Sequence, residues 1–256
     1  STDFIYLSHR IYDGIHELVD LPCAAGDLTN VQTLEIELVD AASGLSLTLF
    51  YTAFPDCDTL TRKVRLTNAG PKSVFIKKLM SLQIDLPHSG YTMLTFDGAW
   101  IRERHKHEKQ LVTGLYVNDS TTGSSSNRHN PLMILKKNDA TEFNGECLAV
   151  NLVYSGNHYG AVEVSPFQKT RLMIGINPYL FEWRLDPHAA FTTPEAVLTF
   201  SAHGLNGVSQ NLHRFIADHI VRGPWSKRER PILINNWEAT YFDFNRIKFW
   251  AWRKKR

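Results

Sequence analysis

The chain has 256 residues, 43% of them hydrophobic and 21% charged, with 28 Lys+Arg against 26 Asp+Glu and a formal charge of +2. That composition is globular and excludes intrinsic disorder; a chain of this length buries roughly 70–75% of its unfolded surface, so folding needs no metal or disulfide staple. Six bases and no acids crowd into RIKFWAWRKKR (246–256), so the rest holds 22 bases against 26 acids, a mild acidity that argues against nucleic acid as a partner.

From residue 4 to about residue 200 the dominant pattern is strand. QTLEIEL (32–38) alternates, with Leu34, Ile36 and Leu38 on one face, and LSLTLFY (45–51) repeats the alternation after a Ser43-Gly44 turn. TRKVRL (61–66), the turn Asn68-Ala69-Gly70-Pro71 and a strand over 74–84 follow. Further strands are expected at 91–96, 132–136, 147–154, 159–164, 171–176 and 195–200. Short strands joined by such turns predict a sandwich. The low-complexity stretch NDSTTGSSSNRHN (118–130) reads as a long surface loop, and loops of this length are often functional.

The period then changes. Leu205, Val208, Leu212, Phe215, Ile216 and Ile220 recur at three- and four-residue steps, which predicts an amphipathic helix over about 205–221, ended by Arg222-Gly223-Pro224. A polar linker leads to Ile232-Leu233-Ile234, a fully apolar run expected of a parallel strand buried on both faces. One such strand cannot stand alone, so it is expected to belong to a domain continuing beyond it. No apolar run approaches the ~18 residues of a membrane span, so no membrane partner is expected. No secretory segment opens the chain, and Ser1 is not expected to be a natural start. Cys23, Cys57 and Cys147 are far apart and lack a CxxC pairing; they read as reduced, partly buried thiols of a cytosolic protein. No ligand cluster with zinc spacing is present, so no metal is expected.

Three stretches bear on chemistry. Arg102-Glu103-Arg104-His105-Lys106-His107-Glu108-Lys109 places a glutamate between arginines, which could tune an acid/base carboxyl. The favoured reading is a solvated edge strand whose charges pair across the sheet. His105 and His107 share a strand face, but no third metal ligand is evident nearby. Trp100, after Gly98-Ala99 at a strand end, is either a sugar platform, its apolar face matching the C–H face of a pyranose, or an ordinary core tryptophan. Asn235-Asn236-Trp237-Glu238-Ala239-Thr240-Tyr241-Phe242 follows the apolar run, at the usual ligand position of barrels and open sheets. The competing reading is a capped turn into a helix, with Asp243 or Asn245 as N-cap. No GxSxG elbow, phosphate loop or dinucleotide fingerprint occurs.

The segments SHRIYDG (8–14), TLEIELVDAASGL (33–45), FDGAWIRERH (96–105), GSSSNRHNP (123–131), LVYSGN (152–157), IGINPYLFEW (174–183), TPEAVLTFSAHGLNGVSQ (193–210) and RPILINNWEATYFDFN (230–245) resemble bacterial α-galactosidases of glycoside hydrolase family 36. The resemblance implies a mainly β fold: a galactose-mutarotase-like β-supersandwich lacking its first strands (1–203), a linker helix and connection (204–230), and the first strand of a truncated (β/α)8 barrel with an atypical basic tail (231–256). It implies hydrolysis of terminal α-galactosides of the melibiose, raffinose and stachyose type, with retention through a covalent intermediate. A retaining pair of carboxylates stands only ~5–5.5 Å apart. It further implies no cofactor, α-galactoside sugars as partners, a homotetrameric parent whose sandwich helps to wall a neighbouring active site, and a cytoplasmic location. By the same resemblance Trp100 and Trp237 match substrate-pocket tryptophans, and Arg102 and Glu238 are candidates for supporting roles. The loop around Ser124 to Asn130 is expected near a subunit contact. The family's Asp-Asp-Gly-Trp and Lys-Trp-Asp motifs, which carry the two catalytic aspartates, are absent from this sequence, and the resemblance stops after Asn245. No catalytic residue is therefore assigned, and the basic tail is expected to be an accident of reading frame. The rival class is a non-catalytic carbohydrate-binding or oligomer-assembly β-sandwich module; a cationic-tail interaction protein stands well behind it.

Overall fold

Alternation becomes antiparallel sheet almost from the start of the computed structural model, which describes residues 2–125 and 128–253. In chain order the strands are β1 (Ile5–Asp13), β2 (Gln32–Asp40), β3 (Leu45–Phe54), β4 (Thr59–Asn68), β5 (Val74–Ile76), β6 (Met80–Leu86), β7 (Tyr91–Ala99) and β8 (Arg102–Gln110). They continue as β9 (Gly114–Asp119), β10 (His129–Lys137), β11 (Cys147–Val153), β12 (His158–Val164), β13 (Thr170–Ile176), β14 (Trp183–Leu185), β15 (Ala190–Thr192) and β16 (Glu195–Ser201). A large sheet runs β1-β2-β3-β4-β16-β11-β10-β7-β8, with β15 added beside β4. A second runs β6-β13-β12-β9, and β14 pairs with β5.

The central strands carry near-continuous apolar runs because the large sheet is covered on both faces. On β10, Met133 and Leu135 join Val150 and Leu152 of β11 in a core shared with Val162, Leu172 and Ile174 of the second sheet. The alternate residues Ile134, Ala149 and Val197 face the other way, into a core with Val208, Leu212 and Phe215. Those last three belong to α1 (Gly204–Phe215), the expected amphipathic helix, which one π-helical turn, Ile216–Ile220, extends. No side chain caps its N-terminus. Gly204, Leu205 and Asn206 donate instead to the carbonyls of Gly145, Thr141 and Glu142, so the turn over 141–145 satisfies the orphan N–H groups. Gly204, at φ +74°, is required there, since a Cβ would meet the Thr141 carbonyl at 2.5 Å.

The strand expected over 74–84 is two, β5 and β6, because the chain leaves one sheet for another at Lys77-Lys78-Leu79. In β10, Pro131 lacks an N–H, and the ladder to β7 breaks register between His129 and Met133. A buried ion pair crosses the large sheet: Lys63 Nζ lies 3.0 Å from Glu195 Oε1, which also accepts from Thr61, while Glu195 Oε2 accepts from the Ala24 N–H at 2.7 Å. Every charged or polar atom of that pair has a partner, which is the condition for tolerating charge in a core.

Two compact units emerge, Ser1–Val221 and Arg222–Arg256. The second holds α2 (Trp237–Thr240) and α3 (Arg246–Arg253). Ile232-Leu233-Ile234 is not a strand, a correction to the sequence reading: Ile232 is 95% and Leu233 90% exposed. A parallel strand exists only through hydrogen bonds to neighbours, and among the described residues this unit contains no other strand to supply them.

Candidate functional site

Trp100 stands at the tip of the β7–β8 hairpin. Ala99 pairs with Arg102, so Trp100 and Ile101 form the turn, and the register shifts between Asp97 and Ala99. Gly98 makes the bulge possible: a Cβ there would lie 2.3 Å from the Arg102 carbonyl oxygen. Ile101 at φ +70° and Arg104 at φ +59° hold left-handed backbone that branched or long residues rarely adopt, and such strain concentrates at functional surfaces. The Glu103 carboxylate accepts the Ile101 N–H at 3.0 Å. Its visible role is therefore to hold the turn, and the acid/base reading gains nothing from it. Trp100 is 80% exposed and is therefore not an ordinary core tryptophan. Arg102 is exposed beside it.

β8 is the edge of the large sheet and exposed throughout, as the favoured reading of its charges expects. Glu108 contacts Lys106 at 3.1 Å and Lys136, on β10, at 3.2 Å; hydrogen bonding to Lys106 is the main reason its carboxyl sits below the usual range. His105 and His107 join no metal-ligand group among the described residues. On the flank of the hairpin a polar cavity of about 380 Å³ is lined by Thr95, Asp97, His107, Lys109, Asn118 and His129. Asp97 accepts from Thr95 at 3.1 Å and lies 3.0 Å from His129. The Asn118 Nδ2 donates to the Asn130 carbonyl at 2.8 Å, while its buried Oδ1 has no partner among the described residues.

The loop between β9 and β10, shorter than the expected 118–130 because both strands reach into it, is tied down at its base: Ser120 donates to the His158 carbonyl and Gly123 to Asn157 Oδ1 at 2.7 Å. Of the stretch expected near a subunit contact, Ser126 and Asn127 lie outside the described residues.

In the second unit, Trp237 opens α2, and its N–H donates to Asn235 Oδ1 at 2.9 Å. Asn236 Nδ2 donates to Thr240 Oγ1 at 2.8 Å, closing the short helix on itself. Trp237 packs edge-on against Tyr241 at 5.5 Å and Phe242 at 4.9 Å, yet keeps 47% of its surface exposed. Glu238 is exposed on the same turn. The segment is a short turn that leads into α3, whose first residue, Arg246, directly follows Asn245 as the competing reading expects, and it presents an amide, an indole and a carboxylate on successive residues. Sequence reasoning missed the buried Lys63–Glu195 pair, whose partners are separated by 132 residues, and the polar cavity, whose lining comes from four strands.

Two family models match the chain: the glycosyl hydrolase family 36 N-terminal domain over residues 1–186 and melibiase over residues 190–255. The chain is 43% identical over 248 residues to alpha-galactosidase AgaA of Geobacillus stearothermophilus, covering 96% of this chain and 34% of that protein. It is 40% identical to alpha-galactosidase 1 of Pediococcus pentosaceus, covering 95% of this chain and 33% of the relative. Among solved structures, the alpha-galactosidase of Lactobacillus brevis superposes with a TM-score of 0.97 at 37% identity, over all of this chain and 34% of that one. A variant of AgaA in complex with raffinose gives 0.97 at 41% identity, over all of this chain and 36% of that one. The chain thus spans about a third of the length of these relatives.

Proposed function

From the premise that this chain belongs to glycosyl hydrolase family 36, we propose that it is the N-terminal third of an α-galactosidase that removes terminal α-galactose from melibiose-, raffinose- and stachyose-type sugars with retention. The observation that carries the proposal is the match along nearly the whole chain to α-galactosidases three times its length. Retention requires a carboxylate nucleophile and a second carboxyl acting as acid and then base. Neither aspartate motif of the family occurs in these 256 residues, so this chain supplies recognition and no bond-breaking step.

Trp100 and Trp237 are the recognising residues. An indole face covers the C–H face of a pyranose and leaves its hydroxyls to polar neighbours. In this reading Arg102 donates to such a hydroxyl and Glu238 accepts from one. A hairpin tip with an 80% exposed tryptophan supports a setting in which a neighbouring subunit covers it, and hence a homotetrameric parent. The buried thiols of Cys57 and Cys147, outside any disulfide, support a reducing, cytoplasmic compartment. Sedimentation of the full-length protein and fractionation of its host check these two readings.

The 256-residue chain incubated with an aryl α-galactoside is expected to show no release over an enzyme-free blank; turnover above it would overturn the division of labour. A second reading, a carbohydrate-binding or assembly module, is favoured by the exposed Trp100 beside the polar cavity that Thr95, Asp97, His107, Asn118 and His129 line. Under that reading galactose quenches tryptophan fluorescence saturably in this chain alone, and Trp100→Ala abolishes the response.

A further inference from the structure

Two adjacent residues and a third far from them in sequence meet where α1 ends against the large sheet. Asp56 and Cys57 lie on the 3-10 turn Pro55–Cys57 that joins β3 to β4. His219 lies on the π-helical turn Ile216–Ile220. Such turns admit one extra residue and are frequently found at functional sites. Nδ1 or Nε2 of His219, Sγ of Cys57 and a carboxylate oxygen of Asp56 all lie within 4.8 Å of one another. Cys57 and His219 are buried, and the Asp56 side chain is half exposed.

The hydrogen bonds of His219 are the informative feature. Its Nδ1 lies 3.1 Å from the Ala25 carbonyl oxygen, which can only accept, so Nδ1 carries the hydrogen. Its Nε2 lies 2.9 Å from Asp56 Oδ2. In a neutral ring that nitrogen is a bare lone pair facing a carboxylate oxygen, and two acceptors at this separation need a positive species between them. The buried Cys57 sulfur supplies a third donor beside them. Asp27 and Asp58 add negative charge around the cluster, acting on His219 and Cys57 respectively. A carbonyl bonded to the far nitrogen of a histidine is the arrangement that orients metal-bound imidazoles.

We propose that Asp56, Cys57 and His219 form a zinc-binding site that clamps the end of α1 to the β3–β4 turn. A thiolate, an imidazole and a carboxylate together suit zinc or cobalt, whereas calcium and magnesium select oxygen alone. Tetrahedral bonds of about 2.0–2.3 Å set ligand atoms a little over 3 Å apart, so Asp56 must move outward by a few tenths of an ångström and the Cys57 sulfur, within 4.8 Å of both other atoms, must settle at the same spacing. Its half-exposed side chain permits that and leaves water the fourth position. Burial pushes the Cys57 thiol up to about 11, so without metal it stays protonated and inert. Zinc binding displaces the proton of that thiol.

The test uses the untagged 256-residue chain, dialysed against chelator and titrated with Co2+ alone at mildly alkaline pH. One equivalent is expected to produce thiolate-to-cobalt charge transfer in the near ultraviolet, and Zn2+ is expected to remove it. Cys57→Ala is expected to abolish the band, and Asp56→Asn, a surface change that leaves the fold intact, to weaken cobalt binding by roughly tenfold. His219→Gln gives the same loss where it folds. Absence of the band, or a band that survives in Cys57→Ala, overturns the site.

Discussion

Glu195 and His158 show what single residues contribute here and how little of it a linear sequence discloses. Glu195 looks like one more strand residue, yet its carboxylate closes a buried network with Lys63, Thr61 and the Ala24 N–H. Removing one member leaves the other charge buried and unpaired, at about 3–5 kcal/mol. Glu195→Gln is therefore expected to lower stability by that amount in denaturant unfolding, and the double change Lys63→Met with Glu195→Leu to recover much of it. His158 is fully buried, and neither ring nitrogen has a partner among the described residues. Burial holds its pKa down at about 4 from the ordinary 6.5. The unfolded chain thus binds a proton that the native state refuses, so stability is full above pH ~6.5 and declines as pH falls toward 4, by about 3 kcal/mol in all. Unfolding measured at pH 7.5 and pH 4.5 is expected to show this loss in the wild type and a smaller one in His158→Leu; equal losses would assign the acid sensitivity to the carboxylates. The exposure of Trp100, by contrast, was legible in part, because Gly98-Ala99 before it marks a strand end with little cover.

At the scale of elements, alternation located most strands because each buries at least one face. Two strands of the hairpin region illustrate the limits. The edge strand β8 was read from its charges, which pair with neighbours instead of catalysing. The next strand, β9, carries no clear alternation and was missed, being defined by its ladder to β12. The apolar run Ile232-Leu233-Ile234 failed in the opposite direction: its residues favour a buried strand, but pairing is a property of neighbours, and the second unit provides none among the described residues. The hairpin tip is a sharper case, since it depends on one glycine. Gly98→Ala would put a Cβ 2.3 Å from the Arg102 carbonyl. A cost of about 1–3 kcal/mol is expected, with the Trp100 emission shifted because the bulge that aims it must open. An unchanged spectrum and melting curve would show that the tip owes nothing to that glycine.

For the whole molecule, the mainly β architecture was legible because strand patterning persists for two hundred residues and then gives way to one amphipathic helix. How the sheets stack was not legible, since central strands buried on both faces, such as β10 and β11, lose the alternation that would say which side meets which layer. The two units differ in what holds them. Ser1–Val221 has three hydrophobic clusters of its own, whereas the residues Arg222–Arg256 leave Ile232, Leu233 and Phe242 exposed. Limited proteolysis is expected to cut first between about residue 222 and residue 245 and to leave a resistant product containing the sheets and α1; early cleavage inside the sheets would contradict that division. The most direct measurement grafts this chain in place of the matching third of the Geobacillus stearothermophilus AgaA, to which it is 43% identical. The folded chimera is expected to hydrolyse an aryl α-galactoside and to lose at least tenfold in kcat/KM on Trp100→Ala, while the chain alone stays silent. A soluble, folded chimera without turnover, or hydrolysis by the isolated chain, would contradict the reading of this polypeptide as the recognising third of an α-galactosidase.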